Sequence, residues 1–150
     1  PPPPYSSAAS DVYKRQWLGN ADNQSKVSGL IYEAPVISFW ESVEINGESR
    51  FPWVPSALFS YFKLFTEIRY GVDFDSMDFR YDLIDSQIPA LLFHGDDDEW
   101  VPVSMSDFIA SNRSYKYTYK RYENVGHVTA WNADPDEYQQ AIKTFLNSLD

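Results

Sequence analysis

The stretch that most constrains the fold is 88–102, in which an apolar run ends at a glycine and four acidic residues follow. A short apolar run bounded by turn residues is typical of a strand buried in a parallel sheet. Ile88–Phe93 therefore predicts such a strand, and His94-Gly95 predicts its end. Ligands of open α/β sheets bind beyond the carboxyl ends of the strands. The acidic loop is thus a candidate for chemistry.

The hydrophobic pattern elsewhere predicts strands that alternate with helices. Strands are predicted at Lys26–Glu33 and at Tyr115–Tyr122, where tyrosines alternate with lysine and threonine. Apolar residues spaced three and four apart predict helices at 55–70, 104–112 and 134–149. Strands that alternate with helices imply right-handed crossovers and a parallel sheet, here of three strands. The predicted fold class is α/β.

The segment between the first two strands is predicted to be a helical insertion at about 37–87. Pro55 suits the first turn of its main helix and Gly71 its end. Asn46-Gly47 is a turn signal, and 73–86 is predicted to be a short helix and loop. One face of the main helix carries its apolar residues, which are Leu58, Tyr61, Phe62, Phe65 and Ile68.

Two later helices carry start signals. Ser104 with Asp107 three positions later resembles a capping box. Asp134-Pro135 followed by Glu137 combines a capping aspartate, a proline in the first helical position and an acid near the positive end of the helix dipole.

Composition excludes several function classes. The 150 residues suffice for one modest domain, and a formal charge of −10 makes phosphate backbones and anionic membranes poor partners. Without cysteine the chain has no disulfide or thiolate metal site, and no apolar run approaches the ~18 residues of a membrane span.

Ser6–Gln16 resembles translated adapter sequence of some metagenome assemblies. We expect 1–16 to be a non-native or disordered leader that replaces the native start, so the compartment is unknown.

A carboxylate of the acidic loop and His127 are expected to lie at the same edge of the sheet, because one helical crossover separates the strands that precede them. A carboxylate beside a histidine orients the imidazole and stabilises its charged form, as a general base requires.

The chain from 17 to 150 resembles the C-terminal part of an α/β-hydrolase domain, most closely a bacterial serine hydrolase of the esterase or prolyl-oligopeptidase-like branch. The motifs that carry the resemblance are Gly29–Pro35, Pro89–Asp98 with Val101-Pro102, and Gly126-His127-Val128. The fold implied is partial: the last three parallel strands with their crossovers and a lid-like insertion.

The resemblance assigns roles to two residues. The family's triad acid typically stands three residues after the glycine of His-Gly, which selects Asp98 over Asp96 or Asp97. His127 matches the catalytic histidine, and the implied reaction is cleavage of an ester, amide or peptide bond in a small-molecule or peptide substrate. An apolar substrate pocket could lie under the aromatic insertion. No cofactor or metal is required.

The nucleophile of that family is expected to be missing. It lies in Gly-x-Ser-x-Gly, and the glycines of this chain include no pair with that spacing around serine. We therefore expect a fragment that carries the acid and the base, is inactive alone, and exposes an unpaired strand edge that favours aggregation.

Other interpretations remain open. The chain could be a non-catalytic binding module on a hydrolase-like scaffold, or part of an acyltransferase or haloalkane-type hydrolase with the same acid and histidine. His94 is more simply interpreted as a strand-end residue that supports the loop. The run 96–99 lacks the spaced ligands of a calcium loop.

Overall fold

The computed structural model describes residues 26–149, which form a parallel sheet with helices packed on it. Its strands are β1 (Leu30–Glu33), β2 (Ala90–Gly95) and β3 (Tyr117–Tyr122), and their order in space is β1-β2-β3. Both pairings are parallel. The α/β class and the parallel three-stranded sheet are thereby confirmed, whereas the predicted leader at 1–16 lies outside the described residues.

The helices occupy the crossovers. Between β1 and β2 lie α1 (Phe39–Arg50), α2 (Ser56–Tyr70), a 3₁₀ turn (Asp75–Met77) and α3 (Arg80–Asp85). Helix α4 (Val103–Asn112) connects β2 to β3, and α5 (Ala130–Ala133) and α6 (Pro135–Asn147) follow β3. Among the described residues, no helix combines the length and the apolar character needed to cross a membrane.

The core lies on both faces of β2, whose residues are all buried. One apolar cluster joins Leu91 and Phe93 to the α6 side of the sheet, with Phe145 among its members. The other contains Met105 and Ile109 of α4. Burial on both faces explains why β2 shows no polar alternation. Each fully buried side chain of this size contributes roughly 1.5–3 kcal/mol of transfer free energy.

The last helix begins where its start signal predicts. Asp134 is the N-cap, its carboxylate accepts a hydrogen bond from the Glu137 amide at 2.9 Å, and Pro135 takes the first helical position. Helix α4 begins differently. It starts at Val103 without any side-chain cap. The carboxylate of Asp107 instead accepts hydrogen bonds from side chains of β3, so the capping-box prediction was wrong.

Helix α1 was not predicted, because Asn46-Gly47 was interpreted as a turn. Gly47 lies inside the helix, and a Cβ there would overlap the ring of Phe59 from α2. Close packing of two helices therefore explains the glycine, and tertiary contact overrides its weak helix propensity.

Helix α2 turns its predicted apolar face to solvent. The side chains of Leu58, Tyr61, Phe62, Phe65 and Ile68 are 52–77% exposed. The opposite face of α2 carries Phe59, which packs against Gly47 of α1. It also carries Lys63, which forms an ion pair with Asp75. The period of the helix was thus correct, but within the described residues its apolar stripe has little to pack on.

Candidate active site

Asp98 and His127 meet at the carboxyl edge of the sheet. His127 Nδ1 lies 2.8 Å from Asp98 Oδ2. The Asp98 side chain is fully buried, whereas 25% of the His127 side chain is exposed. Nδ1 faces a carboxylate and therefore carries the hydrogen, which leaves Nε2 as the acceptor. Among the described residues, Nε2 has no hydrogen-bond partner.

The second oxygen of Asp98 is held by its own loop. Asp98 Oδ1 accepts hydrogen bonds from the backbone amides of Trp100 at 2.8 Å and Val101 at 2.9 Å. Burial by itself raises the pKa of the carboxyl, but hydrogen bonds from His94, Val101, His127 and Trp100 together outweigh burial and lower the pKa of Asp98 to about 2. Asp98 is therefore ionised at neutral pH.

The loops after β2 and β3 cross each other. The Asp96 amide donates to the Tyr122 carbonyl at 2.9 Å and the Asp97 amide to the Val125 carbonyl at 3.1 Å. The carboxylate of Asp96 accepts a hydrogen bond from the backbone N–H of Asn124 at 2.7 Å. These bonds join the segment that carries Asp98 to the segment that carries His127.

The backbone after His127 is strained. Val128 has a φ of +51°, in a region that β-branched residues avoid. Thr129 Oγ1 donates to the Gly126 carbonyl at 3.0 Å and closes the turn around His127. Strain of this kind persists only where the surrounding contacts hold it.

Glu33, the last residue of β1, supplies some of the contacts that keep the turn around His127 in place. Its Oε1 accepts from the Ala130 amide at 3.0 Å and its Oε2 from the Tyr138 hydroxyl at 2.9 Å. The carboxylate thus fixes the start of α5, three residues after His127. Burial and this hydrogen bond to Glu33 raise the pKa of Tyr138 to about 12. Glu33 was not predicted as a site residue; the available signal was its place at the end of a strand that borders the site.

Helix α1 supports the acid loop from outside. The Trp100 carbonyl accepts hydrogen bonds from Ser42 Oγ at 3.2 Å and Asn46 Nδ2 at 2.8 Å. The Arg50 guanidinium lies 5.0 Å from the centre of the Trp100 ring. Helix α1, in which Asn46-Gly47 had predicted a turn, is therefore attached to the loop that carries Asp98.

His94 lies inside the sheet edge, with no exposed surface. Its Nε2 is 3.1 Å from the Val101 carbonyl and 3.3 Å from Asp98 Oδ2, and its Nδ1 is 2.5 Å from Ser106 Oγ. The residue does support the loop, as its position at the strand end suggested, and it also contacts the candidate acid.

Among the described residues, the carboxylates of the acidic run 96–99 do not converge. Asp96 and Asp98 are bound to separate partners, and Asp97 and Glu99 are exposed. In the part of the chain that the structure describes, one group of carboxylates converges, namely Glu67, Asp73 and Asp75. Lys63 pairs with Asp75, and backbone amides of 74–76 donate to Glu67 and Asp73, so each of the three carboxylates already has a hydrogen-bond partner.

The comparisons with known proteins identify the fold. No protein-family model matches the chain, and no curated protein sequence matches it. Among solved structures, the Pyrococcus furiosus esterase Pf2001 aligns with a TM-score of 0.52 and 14% identity over 93% of this chain. MGS-MChE2, an alpha/beta hydrolase enzyme from the metagenome of lagoon sediments of Mar Chica, Morocco, aligns with a TM-score of 0.51 and 12% identity over 95% of this chain.

The chain has part of the α/β-hydrolase fold. It spans 60% of the length of the first of these structures and 56% of the second. Similarity at this identity concerns the fold alone. In this chain an acid follows β2 and a histidine follows β3, and any activity has to be argued from these residues themselves.

Proposed function

We propose that this chain supplies the acid and the base of a Ser-His-Asp hydrolase that cleaves ester, amide or peptide bonds. The observation that carries the proposal is the 2.8 Å contact between Asp98 Oδ2 and His127 Nδ1, in a histidine whose side chain is 25% exposed. The chain contains no Gly-x-Ser-x-Gly, so the serine is proposed to belong to a longer protein of which this is a part.

The proposed chemistry follows from the two ring nitrogens. Nε2 of His127 takes the proton of the serine hydroxyl while the serine oxygen attacks the carbonyl carbon of the substrate. The imidazolium then gives that proton to the leaving group, and an acyl-enzyme forms. In the second half, Nε2 takes a proton from water while the water oxygen attacks the acyl carbon. The imidazolium then returns that proton to the serine oxygen as its bond to the acyl carbon breaks, and the acid is released. Asp98 holds Nδ1–H and stabilises the imidazolium throughout.

The local structure supports a catalytic role over a purely structural one. A buried carboxylate with four N–H neighbours, beside a histidine whose side chain is 25% exposed, is typical of an oriented general base. The strained turn at Val128 lies directly beside His127. A binding module would need neither the ionised acid nor an imidazole oriented by it, and this favours the hydrolase over the module.

The test joins the chain to its upstream coding sequence. We expect the continuous reading frame to encode Gly-x-Ser-x-Gly before the region that corresponds to β1, and the longer protein to react with a fluorophosphonate probe at that serine. His127→Ala and Asp98→Asn should each lower kcat by ~10⁴-fold on the substrate it cleaves. Asp97→Asn, an exposed neighbour, is the matched control and should keep activity.

Hydrolysis assays on the longer protein determine its substrate class. A short-chain p-nitrophenyl ester reports the esterase branch and a peptide p-nitroanilide reports the prolyl-oligopeptidase-like branch. An upstream frame without a serine of this kind, together with no turnover of either substrate, would establish the binding module instead. Stoichiometric labelling of the 150-residue chain by the fluorophosphonate probe would contradict the proposal that this chain lacks the nucleophile.

A further inference from the structure

A buried chain of hydrogen bonds continues from Asp98 away from His127. Ser106 Oγ lies 2.5 Å from His94 Nδ1, and His94 Nε2 lies 3.3 Å from Asp98 Oδ2. Neither Ser106 nor His94 has exposed surface. Ser106 comes from α4 and His94 from β2, so the two main elements beside the acid loop both contribute.

The partners determine which nitrogen of His94 carries the hydrogen. Nε2 faces two acceptors, the Val101 carbonyl and the Asp98 carboxylate, and must therefore donate. Nδ1 faces a hydroxyl, which can donate to the lone pair that this tautomer leaves there. Ser106 then donates to His94, and the single Nε2–H of His94 is directed at the Val101 carbonyl at 3.1 Å, with Asp98 Oδ2 3.3 Å from the same nitrogen.

Asp98 Oδ2 thus lies between two imidazole N–H groups. His127 donates from one side, His94 shares its Nε2–H between Oδ2 and the Val101 carbonyl on the buried side, and Oδ1 accepts from backbone amides. A carboxylate with donors on both oxygens cannot rotate without breaking a bond. The buried imidazole therefore limits how far Asp98 Oδ2 can move from His127.

We propose that His94, oriented by Ser106, is a positioning residue for Asp98 and acts on His127 through that carboxylate. The inference rests on the proposed function for its catalytic meaning, because positioning matters only if His127 is a base. Its physical content is narrower: His94 is an Nε2–H donor, and the Asp98–His127 bond depends on that donor.

The experiment uses ¹⁵N-histidine NMR on the chain as it exists, which has 2 histidines, so a variant at either one assigns both. We expect opposite tautomers in the wild type, Nε2–H for His94 and Nδ1–H for His127. In His94→Leu, we expect the Nδ1 proton of His127 to exchange faster with water. The pKa of Asp98 should rise from about 2 by about one unit, followed through its carboxyl carbon resonance.

Three variants separate positioning from packing. His94→Gln keeps an N–H donor and should restore slow exchange at His127. Ser106→Ala should speed exchange, whereas Ser104→Ala, exposed on the same helix, should not. Loss of packing alone would lower the melting temperature in His94→Leu and leave the pKa of Asp98 and the His127 proton unchanged, which would overturn the proposal.

The wild-type spectrum gives a result even if a variant fails to fold. An Nδ1–H tautomer at His94 would overturn the proposal directly, because Nε2 could not then donate to Asp98. Failure here is distinct from failure of the proposed function. The NMR readout concerns one carboxylate and two rings, whereas the hydrolase is tested by a labelled serine in the longer protein.

Discussion

The Cβ position of Gly95 points at the backbone of Val125. A methyl group there would lie 2.6 Å from the Val125 carbonyl carbon and closer still to its oxygen. The loop that leads to His127 therefore passes directly over the end of β2, at the residue from which the loop to Asp98 departs. The two candidate catalytic residues meet because a glycine permits this crossing.

Gly95→Ala should separate the two loops. The overlap is with backbone, which cannot move without breaking the bonds between the loops, so we expect a loss of about 1–3 kcal/mol in the free energy of unfolding. The His127–Asp98 bond should weaken with it. Urea unfolding and the His127 Nδ1 proton signal measure the two effects.

The control is one residue before the histidine. A Cβ at Gly126 would have its nearest neighbour at 3.8 Å, an ordinary contact. Gly126→Ala should therefore change stability by less than about 0.5 kcal/mol. Equal effects of the two alanines would show that glycine flexibility, and not the crossing, matters at Gly95.

Glu33→Ala should loosen the turn that carries His127. The substitution leaves the Ala130 amide without its acceptor and the Tyr138 hydroxyl without its partner, at a cost of about 1–3 kcal/mol. Thermal unfolding measures the loss. Glu33→Gln keeps an oxygen for one donor, so its melting temperature should lie between those of the wild type and Glu33→Ala. Glu48→Ala, at an exposed residue of α1, should leave the melting temperature unchanged.

Stability should depend on pH through Asp98. Its pKa is about 2 in the folded protein against an ordinary value of 3.8, so the unfolded chain takes up its proton first as the pH falls. The stabilisation from ionised Asp98 is full above about pH 4 and is lost as the pH falls toward about 2.

The comparison is with Asp98→Asn. We expect the wild type to be more stable at neutral pH and the two unfolding free energies to converge between about pH 4 and about pH 2. The free energy of unfolding of Asp97→Asn should change with pH in the same way as that of the wild type. A constant gap between wild type and Asp98→Asn over this range would show that the carboxylate gains nothing from its four donors.

Helix α2 should drive self-association. Its exposed apolar stripe is larger than a solvent-facing helix ordinarily carries, and Phe65 and Ile68 are 52% and 77% exposed. The double substitution Phe65→Lys with Ile68→Lys should reduce concentration-dependent association in sedimentation velocity without lowering the melting temperature. Ser60→Lys adds charge at an exposed polar site of the same helix and should have little effect on association.

Local patterns predicted the parts of the fold that local physics decides. The apolar run of β2, the alternation in β3 and the capping residues of α6 each act over a few positions, and each was predicted with its type correct. The strands begin somewhat later than predicted, at Leu30 and Tyr117, because pairing with β2 limits their length.

The errors share a different cause. Gly47 was interpreted as a turn residue because its neighbour in the fold, Phe59, is distant in sequence. Asp107 resembled a capping residue, yet it bonds to Tyr119 at 2.8 Å and to Arg121 at 2.9 Å. At the site, the resemblance to a family selected Asp98 and His127, whereas Glu33, Ser42 and Ser106 act through partners that no local pattern reveals.

The two oxygens of Asp98 explain why asparagine is a poor substitute there. Both face N–H groups, the backbone amides on one side and the two imidazoles on the other. An amide side chain must turn its NH₂ toward one of these pairs. Toward the backbone amides it opposes donor to donor, and toward the imidazoles it is satisfied only if a ring gives up its N–H and takes the other tautomer. The pocket thus distinguishes a carboxylate from its nearest neutral isostere by hydrogen-bond polarity as well as by charge.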